Sequence, residues 1–141
     1  MTLLSSTSAF GQQETVRRLL AAVAARGMTV FARFDHAAAA RTAGLSLRPT
    51  EVVVFGDPRA GTLLMQAAPT LALELPLRIL VLEGADGTTT LVAEEPAAAA
   101  ARHGTPAALA PVLARMTTVI EAVMADAGGR RASMDTSKLK V

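Results

Sequence analysis

The segment of residues 50–69 joins a short apolar strand directly to the start of a helix. Residues 52–55 form the strand, Gly56 supplies the turn, and Asp57 stands where an N-cap is expected. Pro58 then occupies the first helical position, where its fixed backbone angle is favourable. The pattern therefore predicts a strand-to-helix junction, and it places the helix N-terminus at the end of the strand.

A second junction of the same kind precedes it. A strand at residues 28–34 is followed by Asp35 and His36, which begin a short helix. Because one helix separates the two strands, we expect them to be parallel neighbours joined by a right-handed crossover. Both helix N-termini would then open at one edge of the sheet, where backbone N–H groups suit an anion or a carbonyl oxygen. The simpler interpretation is that Asp35 and Asp57 only cap their helices.

The two histidines offer further chemistry. His36 could act as a general base, assisted by Asp35 or Glu51, which would make the protein an enzyme. His103 follows a pair of glutamates, so a haem or metal site through His36 or His103 is a weaker possibility. The competing interpretation is that each histidine is either exposed or hydrogen-bonded in a structural role.

Composition narrows the classes of function. The 141 residues suit one domain, and 51% hydrophobic with 18% charged residues is typical of a globular chain. With no Trp or Tyr and four Phe, stacking on nucleic-acid bases is not indicated. The apolar stretch of residues 71–82 is interrupted by Glu74, Pro76 and Arg78, so no membrane span is expected. The N-terminus lacks a signal-peptide pattern, which favours a cytoplasmic location.

The order of predicted elements is β-α-β-α-β-α-β-β-α, an α+β fold. We expect a single domain over residues 1–129, with helices packed on a mixed, mostly antiparallel sheet, and a disordered tail over residues 130–141. Ala85-Asp86-Gly87 predicts the hairpin turn between the last two strands. The final helix carries a continuous apolar stripe that favours core packing, although its methionines could also dock a second subunit.

Several stretches carry a resemblance to a known family. They are G-M-T-V-F-A-R-F-D-H-A-A from Gly27, A-G-L-S-L-R-P-T-E-V from Ala43, F-G-D-P-R-A-G-T-L-L-M-Q from Phe55 and L-P-L-R-I-L-V-L-E from Leu75. With R-H-G at Arg102, the chain resembles the bacterial and archaeal domain of unknown function 302 family over about residues 3–126. The resemblance implies a small α+β domain similar to known homodimers, and it implies no established activity, cofactor or catalytic set.

This chain matches the family's pattern at some positions and departs from it at others. Any shared function is expected among the matching residues, which are Asp35, His36, Arg48, Glu51, Gly56, Pro58 and His103. The family tends to carry an aromatic residue where this chain has Leu82, and a Tyr-Asn-Asp-Pro-like run at residues 93–96, which are Ala-Glu-Glu-Pro here. We therefore expect an altered or more open pocket in this chain.

Three functions remain open on the sequence. The first is a non-catalytic homodimer that binds a small polar or anionic ligand through Asp35, His36, Arg48, Gly56, Asp57 and Arg59. The second is an enzyme with His36 as base. The third is a structural or protein-interaction dimer. Haem or metal binding through His36 or His103 is a variant of the first, and otherwise no metal, cofactor, nucleic acid or membrane partner is expected.

Overall fold

The computed structural model describes residues 2–129 and shows one open five-stranded sheet with five α-helices. The strands are β1 (Leu3–Thr7), β2 (Thr29–Asp35), β3 (Thr50–Gly56), β4 (Leu77–Glu83) and β5 (Thr89–Glu94). The helices are α1 (Gln12–Ala25), α2 (His36–Thr42), α3 (Pro58–Ala67), α4 (Pro96–Ala101) and α5 (Ala110–Gly128). Two 3₁₀ turns, Pro69–Leu73 and Ala107–Leu109, follow α3 and precede α5. The predicted α+β class is confirmed, as is the order of elements through β5, after which the structure has α4 and α5 where the predicted order has one helix. The predicted tail at residues 130–141 lies outside the described residues.

Every neighbouring pair of strands is antiparallel, in the order β1-β5-β4-β3-β2. The expectation that β2 and β3 are parallel with a right-handed crossover is therefore wrong. Helix α2 ends at Thr42, and residues 43–49 lead the chain into β3 at the same end of the sheet, so that Asp35 is opposite Glu51. The strand-helix-strand order is compatible with either direction, and an antiparallel return needs no crossover over the sheet.

The core lies between one face of the sheet and the pair of helices α1 and α5. Alternate strand residues point into it, among them Val53, Phe55, Ile79, Val81 and Leu91. The opposite face has no helix layer in the described part of the chain. The register aligns Phe34, Val52, Leu80 and Val92 in one row across four strands of that face, and we call this set the apolar row.

A bulge in β2 changes which side chains share a face. Val30 is opposite Phe55 on the core face, but after the bulge Ala32 is opposite Val54 on the uncovered face. The simple alternation of a regular strand therefore fails at Phe31, because the extra residue shifts the side chains that follow it. As a result Phe34 lies on the uncovered face with 53% of its surface exposed.

The predicted hairpin between β4 and β5 is present. Gly84 N–H donates to the Thr88 carbonyl at 2.9 Å, and Gly87 has φ of 80°, a conformation that glycine adopts without strain. Thr88 N–H donates to Asp86 Oδ1 at 3.0 Å and closes the turn further. The local turn signal was therefore sufficient to define this connection.

Helix α5, with the turn before it, is long and apolar enough to cross a membrane by length and composition. The expectation that no segment reaches that length is wrong. Residues Leu113, Ile120, Val123 and Met124 of this helix are buried in the two core clusters, and a core helix passes the same test. Packing on the sheet thus explains part of the apolar composition of α5.

We expect that Phe55→Ala lowers the free energy of unfolding by about 3–5 kcal/mol, because Phe55 is fully buried and its removal leaves a cavity. Urea unfolding at pH 7 measures the change. Leu73→Ala is the control, since Leu73 is 78% exposed and its removal should change the free energy by roughly 0.5 kcal/mol or less. Equal effects of the two substitutions would contradict the assignment of the core face.

Candidate functional site

The two predicted junctions lie at opposite ends of the sheet. Antiparallel pairing places Asp35 opposite Glu51 at one end, and Gly56 opposite Thr29 at the other. A common mouth for Asp35-His36 and Gly56-Asp57 is therefore excluded by the topology. Residues at one junction cannot hold a small ligand together with residues at the other.

At each junction the aspartate acts as a helix cap. Asp35 Oδ1 accepts from Ala38 N–H at 2.9 Å, and Asp57 Oδ1 accepts from Arg59 N–H at 3.0 Å. The capping interpretation is confirmed for both. These bonds satisfy backbone groups that an anion would otherwise contact.

The remaining predicted residues near β2 and β3 do not form a closed site. His36 is exposed at the start of α2, and Arg48 is exposed in the segment before β3. Glu51 is buried, and its Oε2 accepts from Arg33 Nε at 2.8 Å, which raises the pKa of Arg33. The role of His36 as a general base stays a prediction.

A cleft forms where β4 and β5 separate. Their hydrogen-bonded register covers Leu80–Glu83 and Thr89–Val92, and beyond it the start of β4 stays with β3 while the end of β5 stays with β1. The gap between the two strands has a volume of about 280 Å³. Its lining is apolar except for Glu74, Arg78 and Glu94. We call this space the β4–β5 cleft.

Charged side chains converge at the rim of the cleft. Arg102 donates from Nη2 to Glu74 Oε2 at 3.0 Å and to Glu94 Oε2 at 3.1 Å, and its Nη1 also bonds Glu94. Arg78 is the more distant partner, with Nη2 at 3.5 Å from Glu74 Oε2. These contacts tie the 3₁₀ turn after α3 to the end of β5 and to the end of α4.

His103 completes this rim network. Its Nε2 lies 3.2 Å from Glu74 Oε1, and its Nδ1 lies 2.9 Å from Thr70 Oγ1. An ionised carboxylate can only accept, so Nε2 carries the proton, and in the neutral ring Nδ1 accepts from the Thr70 hydroxyl. Both ring nitrogens are therefore engaged and neither is open to a metal. Within residues 2–129, no group of three or more metal-ligating side chains is assembled.

The electrostatics of the rim favour the ionised states of Glu74 and Arg102. The hydrogen bond from His103, followed by that from Arg102, lowers the pKa of Glu74, although desolvation opposes the shift. The hydrogen bonds to Glu94 and Glu74 raise the pKa of Arg102. Apolar cavities with converging polar groups of shifted pKa are where ligands are most often bound. The β4–β5 cleft is therefore the candidate site.

The sequence prediction missed most of this site. It paired His103 with Glu94 and Glu95, whereas His103 contacts Glu74 and Thr70, and Glu94 contacts Arg102. One signal was available, because Glu74 and Arg78 interrupt an otherwise apolar stretch. Charges inside an apolar stretch need partners, but the sequence did not indicate that Arg102 and His103 provide them.

The fold and cleft define a small α+β domain with one antiparallel sheet and a cleft open at its uncovered face. The chain belongs to the family described as "Domain of unknown function DUF302", whose model matches residues 4–123. It is similar to a protein solved as "Crystal structure of uncharacterized conserved protein DUF302 from Bacillus stearothermophilus", with a TM-score of 0.81. The two chains are 20% identical, over 90% of this chain and 98% of the other, so this likeness concerns the fold.

Curated relatives are longer proteins. The chain is 44% identical over 101 residues to the "Fluoride-specific ion channel FluC 1" of Brucella suis biovar 1 (strain 1330), covering 72% of this chain and 40% of the relative. The protein of the same name in Brucella abortus biovar 1 (strain 9-941) is also 44% identical over 101 residues, covering 37% of its length. This chain thus spans about two fifths of the curated relatives it matches.

We expect Glu74→Gln to lower stability at pH 7 and to have little effect at pH 3. Because the pKa of Glu74 is lowered in the folded protein, its contribution is present above the unfolded value of roughly 4.3 and is lost as the pH falls through the folded value. Urea unfolding of both proteins at the two pH values gives the comparison. Glu121→Gln, on the exposed side of α5, is the control and should show no such dependence.

Proposed function

We propose that this protein is a cytoplasmic, non-catalytic binding module that holds a small anion with a compact apolar body in the β4–β5 cleft. The observation that carries the proposal is the cleft itself, whose apolar lining ends in a rim of charged residues. An apolar body would bury against the lining, while its charged end stays at the rim. A ligand with these two parts uses both features of the cleft.

The size of the cleft limits the ligand. A volume of about 280 Å³ lies at the lower end of pockets that bind small molecules. Leu71, Leu75, Leu80, Val92 and Met116 contribute aliphatic walls. This space suits one aromatic ring or a short branched chain better than a nucleotide or a haem.

Arg78 is the rim group best placed to bind the charged end. Arg102 is held by two carboxylates, and the carboxylates of Glu74 and Glu94 are satisfied by it. Arg78 makes one longer contact, and its side chain is 51% exposed. A guanidinium can turn to a ligand carboxylate and bind it with two parallel hydrogen bonds. The proposed ligand is therefore anionic.

We expect phenylacetate to raise the melting temperature of the protein, and the neutral phenylacetamide to raise it less, because only the anion pairs with Arg78. Arg78→Gln should remove the difference between the two compounds. Ala99→Phe should abolish both shifts, because Ala99 lines the cleft and a larger side chain fills it. Thermal unfolding followed by calorimetric titration measures these effects.

The control for this experiment is Arg41→Gln, a change of an exposed residue on α2 at the other end of the sheet. It should leave both shifts unchanged. Binding that survives Ala99→Phe, or no shift with any member of a panel of small apolar carboxylates, would show that the cleft is not the site.

The curated relatives favour a second candidate function. Part of this chain is 44% identical to part of proteins named fluoride-specific ion channels, so the module could serve such a channel and respond to fluoride. A titration with sodium fluoride and sodium chloride belongs in the same experiment. Stabilisation by fluoride alone, with no effect of phenylacetate, would favour this function over the first.

We further propose that the protein is a homodimer joined through the uncovered face of the sheet. The apolar row crosses four strands of this face, and Phe34 at its end is half exposed. Val52, Leu80 and Val92 belong to the row and also line the cleft. A second copy on this face would therefore bury the row and lie over the cleft.

We expect Phe34→Asp to convert the dimer to a monomer, because a carboxylate would be buried without a partner in the interface. Light scattering at micromolar concentration measures the mass of each protein. Leu73→Asp is the matched control, since Leu73 is more exposed than Phe34 but lies on the 3₁₀ turn after α3. A wild-type protein that is already monomeric would refute the dimer.

A further inference from the structure

Helix α5 has more apolar surface than the described fold covers. Its most apolar 18-residue window has a mean hydropathy of 1.5, yet only 33% of that window is buried. One stripe of the helix enters the core. Next to it, Val112, Arg115, Met116 and Val119 follow the i, i+3, i+4, i+7 spacing of a single helix face and line a groove.

This groove lies between α3 and α5, and we call it the α3–α5 groove. It is an open space of about 860 Å³ that does not depend on the cleft for most of its lining. Met28, Phe31, Leu63 and Met65 supply apolar surface. Phe31 is 48% exposed and Leu63 is 52% exposed, so large hydrophobic side chains face solvent here. Such a surface is typical of an interaction site.

The charge around the groove is positive. Arg26, Arg59 and Arg115 line it, whereas Asp57 is the one acidic lining residue among those described. Arg26 is paired with Asp126, but Arg59 and Arg115 make no ion pair within residues 2–129. The chain's own last residues carry Arg130, Arg131, Lys138 and Lys140, so they do not complement this charge.

We propose that the α3–α5 groove binds an acidic amphipathic helix of a partner protein. A helix fits because two helices form the walls, and a helical face of roughly two turns that lines the groove is a surface that a third helix packs against. Methionine side chains adapt to the ridges of such a partner. Glutamates or aspartates that flank its apolar face would pair with Arg59 and Arg115.

A helix explains the groove better than a membrane surface does. A bilayer is flat on this scale, so it would reach the exposed Phe31 and Leu63 but not the lining between the two helices. A helix inserts into the concave surface and contacts both walls. The partner is thus defined by shape and by charge together.

The proposal can be tested with labelled peptides of about 18 residues, long enough to form a helix when bound. One peptide carries leucines at i, i+3, i+4 and i+7 with glutamates beside them, a second has the same composition in scrambled order, and a third replaces glutamate by lysine. We expect fluorescence anisotropy to show that the acidic amphipathic peptide binds about tenfold or more tightly than the other two.

Substitutions in the groove test whether the acidic peptide binds there. Leu63→Asp and Arg115→Glu should each weaken the acidic peptide about tenfold, and the double change Arg59→Glu with Arg115→Glu should favour the lysine peptide. Arg59, Leu63 and Arg115 are all exposed, so the folded state is retained, and melting temperatures check this. Arg41→Glu, away from the groove, is the control and should have no effect.

Several results would overturn the proposal. They are equal affinity for ordered and scrambled peptides, no binding of any peptide, and a loss of affinity with Arg41→Glu as large as with Arg115→Glu. Binding to phosphatidylglycerol vesicles that Leu63→Asp abolishes, without peptide binding, would show that the groove is a membrane contact instead.

Discussion

The structure depends on the point at which β4 stops pairing with β5. Beyond Leu80 and Val92 the two strands follow their outer neighbours, so the sheet opens in its middle. At this opening the two strands no longer hydrogen-bond to each other, and the sheet alone does not cover the apolar side chains there. The rim network of Glu74, Glu94 and Arg102 spans the gap, and the segments after α3 and around α4 pack over it.

Three surfaces follow from this arrangement. Because α1 and α5 both pack on one face, no helix covers the apolar row on the other face, where Phe34 is half exposed, and the β4–β5 cleft opens beside that row. On the helix side, α3 and α5 leave a groove between them. The cleft and the groove share Leu75, Leu77 and Met116, so the proposed ligand and the proposed partner would contact the same three side chains.

The sequence predicted the elements that local signals define. Gly56-Asp57-Pro58 marked the start of α3, Asp35 marked the start of α2, and Ala85-Asp86-Gly87 marked the hairpin, because capping and turn chemistry involve residues close in the chain. The pairing of β2 with β3 was predicted incorrectly. Its direction depends on whether the connection crosses the sheet or returns at the same end, and the strand-helix-strand order alone does not decide between the two.

The candidate site was largely beyond sequence reasoning for a related reason. Thr70, Glu74 and Arg78 come from one segment, but Glu94, Arg102 and His103 come from another, and only the opening between β4 and β5 brings the two together. The mismatch between the predicted and observed partners of His103 arises from this long-range geometry. Asp35 and Asp57, in contrast, were correctly seen as caps because their partners are two or three residues away.

The central claim is that an open apolar cleft separates β4 from β5. Diffraction from crystals pressurised with xenon tests it most directly, because xenon enters apolar cavities without needing hydrogen bonds. We expect one xenon atom or more beside Leu71, Leu80 and Met116, with the strands apart beyond Leu80. Continuous β4–β5 pairing through Ile79 and Ala93, with no xenon between the strands, would contradict the account.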